Sequence, residues 1–200
     1  MVLWDVDGVL IWHHPTDPTQ DWRCPLAERG YLNLWEDFQR SDPWLTCLSD
    51  PARDVRIAFP AFLSEAEVSG VDHEWIIHCW LEGNLRPHRP AVDCLKAIDK
   101  AGVQCGIATN QDALRATRLR EWLAAEGLDR PPVFASCDIG AAKPDHKFFE
   151  TLQARLVGKK ITFLDDRIEN IEAALRVGWV AHHVTAGFKW DEFHRELVHA

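Results

Sequence analysis

The chain has 200 residues, a length that fits one domain, or one core with a modest insertion, better than two full domains. Hydrophobic residues make up 46% of the sequence and charged residues 26%, which excludes disordered, collagenous and coiled-coil proteins. The 22 basic and 31 acidic residues give a formal net charge of −9, so we expect neither nucleic acid nor anionic membrane surfaces as partners.

The amino-terminal residues do not resemble a secretory signal, because acidic residues follow the first few apolar ones. No later apolar run approaches the length of a membrane span. We therefore expect a cytoplasmic protein. The sequence sets no expectation for the oligomeric state.

The predicted elements begin with a β-strand at residues 2–6. The next segment, residues 13–87, shows helical periodicity that prolines interrupt, and its best helices are predicted at residues 26–40 and 72–81. We interpret this segment as a helical insertion. Residues 1–12 and 88–200 would then form a common core.

After the insertion, helices that end at glycines alternate with short strands. Helices are predicted at residues 91–101, 112–126, 145–157 and 168–177, and strands at residues 104–108, 133–135, 161–164 and 180–184. This alternation predicts a parallel sheet with helices on both faces. The predicted fold class is α/β, a doubly wound, Rossmann-like sheet with a helical domain inserted after its first strand.

Two acidic residues, Asp5 and Asp7, stand at the end of the first predicted strand. Because alternate residues of a strand face the same side, we expect both carboxylates to point the same way from the carboxyl edge of the sheet. Close carboxylates repel each other unless one is protonated or a hard cation lies between them. The simplest interpretation of the pair is that it binds Mg²⁺, and the alternative is that both are acidic turn residues without a ligand.

A second acidic pair, Asp165 and Asp166, follows the strand predicted at residues 161–164 and precedes a helix. Alone, the pair could be helix N-terminal residues that the helix dipole favours. Together with Asp5 and Asp7, however, it brings four acids to one edge of the sheet. Such a group would repel strongly without a divalent ion, which favours Mg²⁺.

Three further residues could hold a phosphate. Thr109 and Asn110 follow the strand at residues 104–108 and lead into a helix, where a hydroxyl and backbone N–H groups favour an anion. An ordinary helix cap is the alternative. Lys143 could neutralise both a carboxylate and a phosphoryl oxygen, whereas the alternative for it is a solvated surface lysine.

The order of these segments resembles a known family. The segments are Leu3-Trp4-Asp5-Val6-Asp7-Gly8-Val9, Ile107-Ala108-Thr109-Asn110, Lys143-Pro144-Asp145 and Phe163-Leu164-Asp165-Asp166. They resemble the four motifs of the haloacid dehalogenase (HAD) superfamily. The insertion is similar to the small helical cap of its β-phosphoglucomutase-like and sugar-phosphate phosphatase branch.

The resemblance implies a role for each matched residue. Asp5 would be the nucleophile that forms an aspartyl-phosphate, and Asp7 the general acid and base. Thr109, Asn110 and Lys143 would bind phosphate. Mg²⁺ would be held by Asp5, by the main-chain carbonyl of Asp7 and by Asp166, with Asp165 as their neighbour or an alternate ligand. Dehalogenases of the superfamily lack an aspartate two positions after the nucleophile, so Asp7 indicates phosphoryl transfer.

The expected function is therefore a Mg²⁺-dependent phosphatase of small phosphorylated metabolites. A phosphomutase-like phosphotransferase and a non-catalytic binding or regulatory module remain the alternatives. For two further groups of residues, the sequence leaves two interpretations open. His13 and His14 are either exposed hinge residues or substrate contacts. The insertion's tryptophans either stack on substrate or form its core, namely Trp22, Trp35, Trp44, Trp75 and Trp80.

Overall fold

A sheet of five parallel strands lies at the centre of the computed structural model, which describes residues 1–11, 21–83, 85–128 and 130–198. The strands are β1 (Val2–Trp4), β2 (Cys105–Thr109), β3 (Val133–Ala135), β4 (Thr162–Asp165) and β5 (Val180–His183). Their order is β3-β2-β1-β4-β5, and Val2 pairs with Cys105 on one side and with Thr162 on the other. The first strand is therefore central. His13 and His14 lie outside the described residues.

Helices surround this sheet and also make up the insertion. Those of the insertion are α1 (Arg23–Glu28), α2 (Leu32–Gln39), α3 (Asp42–Cys47), α4 (Val55–Glu65) and α5 (His73–Gly83). Those that follow it are α6 (Arg89–Lys100), α7 (Ala113–Ala125), α8 (Ser136–Ile139), α9 (His146–Arg155), α10 (Ile168–Arg176) and α11 (Trp190–Val198). No helix among the described residues is long and apolar enough to cross a membrane.

The two faces of the sheet bury two separate hydrophobic clusters. Val2 and Trp4 of β1 pack in one cluster with residues of α6, α7 and α11. Leu3 packs in the other with residues of α9 and α10. Because neighbouring strand residues face opposite sides, one short strand supplies both layers. The predicted doubly wound α/β core with its inserted helices is confirmed.

Several predicted element ends differ from the structure by one or two residues, and two differences bear on the fold. Strand β1 ends at Trp4, two residues earlier than expected. The single helix predicted at residues 26–40 is two helices, because Gly30 adopts a φ of +73° and the Tyr31 N–H donates to the Leu26 carbonyl at 2.8 Å. A residue with positive φ after a helix end is the usual way in which glycine terminates a helix.

The helices α3 and α4 were not predicted, because each contains a proline. Pro43 lies in the first turn of α3, where its missing N–H would have no helical partner. Pro60 lies inside α4, which forms nevertheless because its buried face carries Val55, Phe59 and Leu63. Tertiary packing therefore outweighs the local cost of the proline in α4.

Aromatic side chains form the core of the insertion. The Trp35 ring is fully buried, and its centroid lies 5.1 Å from those of both Phe59 and Trp80. Phe38 is also fully buried and contacts Trp44. Contacts at these distances and tilts are the favourable geometry for aromatic pairs. The insertion thus has a hydrophobic core of its own, against which Leu114 and Ala142 of the rest of the chain pack.

The two ends of the insertion leave the core side by side. Ile11 and Pro87 form an antiparallel bridge, and the His88 N–H donates to the Leu10 carbonyl at 2.8 Å. This pairing holds the helical insertion near the carboxyl end of β1. We propose that residues 13–87 are a cap domain and that residues 1–12 and 88–200 are the core to which it belongs.

Replacing Phe38 tests the packing of the insertion. We expect Phe38→Ala to lower the free energy of unfolding by about 3–5 kcal/mol, because it leaves a cavity among buried rings. Chemical denaturation would measure the loss. Phe62→Ala is the control, because Phe62 is only partly buried beside the same cluster and should cost clearly less. Equal losses in the two variants would contradict a closely packed core around Phe38.

Candidate active site

Three predicted residues meet at the carboxyl edge of the sheet, at the ends of adjacent strands. Asp5 follows β1 directly, Thr109 is the last residue of β2 and Asp165 is the last residue of β4. All three are buried. Because β2, β1 and β4 are parallel neighbours, their carboxyl ends lie together, as the sequence predicted.

The ammonium group of Lys143 binds two of these acids. It lies 2.9 Å from Asp5 Oδ1 and 2.6 Å from Asp165 Oδ2, and it donates to the Ala108 carbonyl at 2.9 Å. An ammonium has three hydrogens, so the three acceptors account for all of them. Burial favours the neutral amine, but the two carboxylates outweigh burial and raise the pKa of Lys143. Lys143 is 4% exposed, which excludes the surface-lysine alternative.

Both oxygens of the Asp165 carboxylate accept hydrogen bonds from its own loop and helix and from Lys143. Its Oδ1 accepts from the Arg167 N–H and from Asn170 Nδ2, both at 2.9 Å. Its Oδ2 accepts from Lys143 and, at 3.0 Å, from Asn170. Asp165 therefore orients Lys143. The sequence analysis gave Asn170 no role, although its position in the first turn of α10, close to two acids, is a signal that could have been used.

Asp5, Asp165 and Asp166 form an acidic cluster. Each offers a carboxylate oxygen, and the three oxygens lie within 4.8 Å of one another. Burial raises the pKa of the Asp5 carboxyl well above its usual value, although the Lys143 ammonium opposes the shift. Several hard oxygen ligands and a surplus of acid over base suit Mg²⁺, which proteins commonly hold with one or two carboxylates. These residues therefore fit the ion, and since each oxygen of Asp165 already accepts two hydrogen bonds, Asp5 and Asp166 are better placed as its ligands.

A glycine makes this arrangement of acids possible. Gly8 has a φ of +83°, a conformation that side chains disfavour. A Cβ atom at residue 8 would lie 2.1 Å from Oδ2 of Asp166 and 2.3 Å from its Cγ. Only a residue without a side chain therefore lets the Asp166 carboxylate approach the loop after β1.

The expectation that the two carboxylates point the same way stays a prediction, but Asp7 has different side-chain partners from Asp5. Arg115 donates to both oxygens of Asp7 at 2.7 Å, and Gln111 donates to Oδ2 at 2.6 Å. The physical reason is that β1 ends at Trp4, so the alternation of a strand no longer applies at Asp7. The metal role that the resemblance implies for Asp7 uses its main-chain carbonyl and stays a prediction.

Gln111 and Arg115 are functional candidates that the sequence analysis missed. They are four residues apart at the start of α7, and the Arg115 guanidinium also donates to Gln111 Oε1 at 2.9 Å. Both side chains are buried. A polar pair at helical spacing directly after the Thr-Asn segment was the available signal.

The predicted phosphate-binding residues also contact one another. Asn110 Nδ2 donates to the Lys143 carbonyl, and the Lys143 N–H donates to Asn110 Oδ1, both at 2.8 Å. The Asn110 side chain thus joins the loop after β2 to the loop that carries Lys143. Thr109 Oγ1 accepts from Gln111 at 3.2 Å. Phosphate binding by Thr109, Asn110 and Lys143 stays a prediction.

A cavity of about 400 Å³ lies between the insertion and this edge of the sheet. Its polar lining from the core is Asp7, Asn110, Gln111 and Arg115, and its lining from the insertion is Trp22, Arg23, Leu32, Trp35, Glu36, Gln39, Trp44, Leu48 and Trp80. Four indoles therefore face a polar floor. Trp35 and Trp80 belong to the insertion's core and also line the cavity, so the core interpretation holds for them, and stacking on a substrate stays a prediction.

Replacing Gly8 tests the geometry of the acidic cluster. We expect Gly8→Ala to weaken Mg²⁺ binding by about tenfold or more, because its methyl group displaces the Asp166 carboxylate. Titration calorimetry with MgCl₂ would measure the affinity. Gly158→Ala is the matched control, because Gly158 has a similar φ of +76° but no atom near the position of a Cβ. Unchanged Mg²⁺ affinity in the Gly8 variant would show that Asp166 does not bind the ion.

Comparison with known proteins is consistent with this geometry. The chain is 34% identical to the sesquiterpene phosphatase astK of Aspergillus oryzae (strain ATCC 42149 / RIB 40) over 98% of its own length and 95% of that protein's. Its fold is similar to that of a HAD family enzyme from Bacteroides thetaiotaomicron in complex with magnesium and inorganic phosphate. The TM-score is 0.70 with 19% identity, over 96% of this chain and 97% of that one.

The same fold also occurs in an L-2-haloacid dehalogenase from Xanthobacter autotrophicus with chloropropionic acid covalently bound. That similarity has a TM-score of 0.61 with 19% identity, and it covers 100% of this chain and 82% of that one. The fold alone therefore does not select one reaction of the family. A family model for haloacid dehalogenase-like hydrolases matches residues 1–178. The protein belongs to the haloacid dehalogenase-like hydrolases.

Proposed function

We propose that the protein is a Mg²⁺-dependent phosphatase that cleaves phosphate monoesters through an aspartyl-phosphate on Asp5. The observation that carries the proposal is the cluster of Asp5, Lys143, Asp165 and Asp166 at the carboxyl edge of the sheet, two residues along the chain from Asp7, which lines the cavity. A carboxylate beside a buried ammonium and a second carboxylate can attack a phosphoryl group whose charge is offset by the ammonium and by a metal ion bound between the carboxylates.

The chemistry requires two steps that use the two aspartates of the first loop. An oxygen of Asp5 attacks phosphorus, the bond between phosphorus and the alcohol oxygen breaks, and that oxygen takes a proton from Asp7. Water then attacks the phosphorus of the aspartyl-phosphate and gives a proton to Asp7. Asp5 is regenerated and inorganic phosphate is released.

The charges around Asp5 support the first of these steps. Lys143 contacts Asp5 and is held by Asp165, so it can offset the charge of an incoming phosphoryl group without changing position. Mg²⁺ held by Asp5 and Asp166 would reduce the repulsion between the nucleophile and the phosphate oxygens. Asp7 lines the cavity, where a leaving oxygen would be exposed to its carboxyl group.

We propose further that the alcohol part of the substrate is bulky and apolar. Trp22, Trp35, Trp44 and Trp80 line the cavity, and its volume of about 400 Å³ falls in the range typical of small-molecule sites. Indole walls offer large apolar surfaces against which an apolar or ring-containing group can pack. The sesquiterpene phosphatase to which the chain is similar supports the same substrate class. A terpenoid alcohol phosphate fits both observations.

Phosphate release from a panel of monoesters tests this substrate class. We expect the kcat/KM for farnesyl or decyl phosphate to exceed that for glucose 6-phosphate or AMP by about tenfold or more, because each buried methylene contributes about 0.8 kcal/mol. Release should require Mg²⁺. Asp5→Asn is the control that should abolish it for every member. A preference for the sugar phosphate would contradict the apolar substrate, and absence of Mg²⁺-dependent release from every member would contradict the phosphatase.

The roles of the two aspartates can be separated with p-nitrophenyl phosphate, whose leaving group needs no proton. Asp7→Asn should release a burst of up to about one nitrophenolate per active site and then stall, because hydrolysis of the aspartyl-phosphate has lost its base. Stopped-flow absorbance would record the burst. Asp5→Asn should give neither burst nor turnover. A burst in the Asp5 variant, or steady turnover of decyl phosphate by the Asp7 variant, would show that these roles are wrongly assigned.

A further inference from the structure

A buried arginine holds the proposed acid and base. The Arg115 guanidinium is 4% exposed and donates one hydrogen bond to each oxygen of Asp7, both at 2.7 Å. This two-point contact fixes the plane of the carboxylate as well as its position. Gln111 donates a third hydrogen bond to Asp7 and accepts one from Arg115. Removing an arginine from water is costly, and the hydrogen bonds to Asp7 and Gln111 offset that cost only while the three side chains keep this geometry.

The same guanidinium also contacts the insertion. Its central carbon lies 5.5 Å from the centroid of the Trp80 ring, within the range of a cation–π interaction. Trp80 lines the cavity and packs against Trp35 in the insertion's core. Arg115 therefore touches the proposed acid and base on one side and the apolar wall on the other.

Helix α7 carries this contact and binds the insertion a second time. Asp112 precedes α7 and accepts from the Leu114 N–H at 2.9 Å, which fixes the start of the helix. Three residues after Arg115, Arg118 donates to both carboxylate oxygens of Glu82, at 2.8 and 2.9 Å. Glu82 and Trp80 both belong to α5. The helices α5 and α7 are thus joined by two arginines on successive turns.

We infer that Arg115 is a positioning residue that orients the Asp7 carboxylate toward the leaving oxygen, and that Trp80 supports it in that position. The inference rests on the proposed function, because it assigns Asp7 a proton transfer. Its consequence is that the part of the cavity that binds an apolar group and the residue that protonates the alcohol are joined by one side chain. A disturbed Trp80 wall should then slow the chemistry as well as weaken binding.

The leaving group distinguishes positioning from a general structural role. In Arg115→Met, single-turnover phosphorylation of Asp5 by decyl phosphate should fall by about 30-fold or more, because the alkoxide then lacks a well-placed acid. The single-turnover rate of nitrophenolate release from p-nitrophenyl phosphate should stay within about threefold of wild type, because that step needs no acid. Rapid-quench and stopped-flow measurements would give the two rates.

Two further substitutions sharpen the test. Arg115→Lys keeps the charge but not the two-point contact. Its single-turnover rate with decyl phosphate should therefore exceed that of Arg115→Met by less than about threefold. Arg118→Gln is the matched control, because it removes an arginine one turn away that does not contact Asp7, and both rates should be unchanged. Full recovery in the lysine variant would show that charge alone matters and would overturn the inference.

Trp80→Leu tests the support from the insertion. At saturating decyl phosphate its single-turnover rate should still fall by about fivefold. Its single-turnover rate of nitrophenolate release from p-nitrophenyl phosphate should be unchanged. A change in affinity alone would contradict the role of Trp80. Thermal unfolding of each variant checks that it folds, and Gln111→Met, which removes one hydrogen bond to Asp7, replaces Arg115→Met if that variant does not fold.

The proposed function and the inference fail in different ways. If the wild-type protein with Mg²⁺ forms no aspartyl-phosphate from either substrate, the proposed function is wrong. If the wild type reacts but Arg115→Met slows both substrates equally, the phosphatase stands and the positioning role is overturned.

Discussion

The ammonium group of Lys143 is the contact on which the site depends. It binds Asp5 and Asp165 at 2.9 and 2.6 Å, in a place from which water is largely excluded. Without it, the buried carboxylates of Asp5 and Asp165 would lie close to each other and to Asp166 with their mutual repulsion less well offset, a costly arrangement. The hydrogen bonds from Asn110 to the Lys143 backbone and from Asn170 to Asp165 serve this contact from two sides. Several polar residues at the carboxyl edge of the sheet therefore hold the Lys143 ammonium in place.

A second ion pair divides the acids into two groups with different environments. Asp5 shares Lys143 with Asp165, whereas Asp7 binds Arg115 and Gln111. Burial raises the pKa of Asp5, and its neighbour Lys143 opposes the shift, so this carboxylate depends on positive charge for ionisation. Two acids only two residues apart thus acquire separate partners because the strand has ended before them and no longer fixes where their side chains lie. Separate partners are what a nucleophile and an acid or base need in order to act independently.

The residues predictable from the sequence were those whose positions follow from local rules. Strands alternating with glycine-terminated helices predicted the parallel sheet, and residues directly after its strands had to meet at one edge, which places Asp5, Thr109 and Asp165. Arg115 could not be found in this way, because its contact with Asp7 depends on how helix α7 packs against the loop after β1. The two helices that contain prolines, α3 and α4, were not predicted for a related reason. Their stability comes from tertiary packing, which local sequence patterns do not show. For the tryptophans, periodicity identified buried faces but could not distinguish a core from a cavity wall.

The division of chemistry between the two parts of the chain explains how one cavity can hold an amphiphilic molecule. The sheet supplies charged and polar groups because the ends of parallel strands and helix starts expose unsatisfied backbone and favour short polar residues. The insertion supplies aromatic surface because its short helices need large side chains to bury enough area, and some of those rings remain at the cavity. An apolar group bound against the indoles would displace water from the polar floor, which strengthens every electrostatic contact to Asp5 and Asp7. In the proposed reaction, solvent exclusion and Arg115 would both link binding of the apolar part to activation of the charged part.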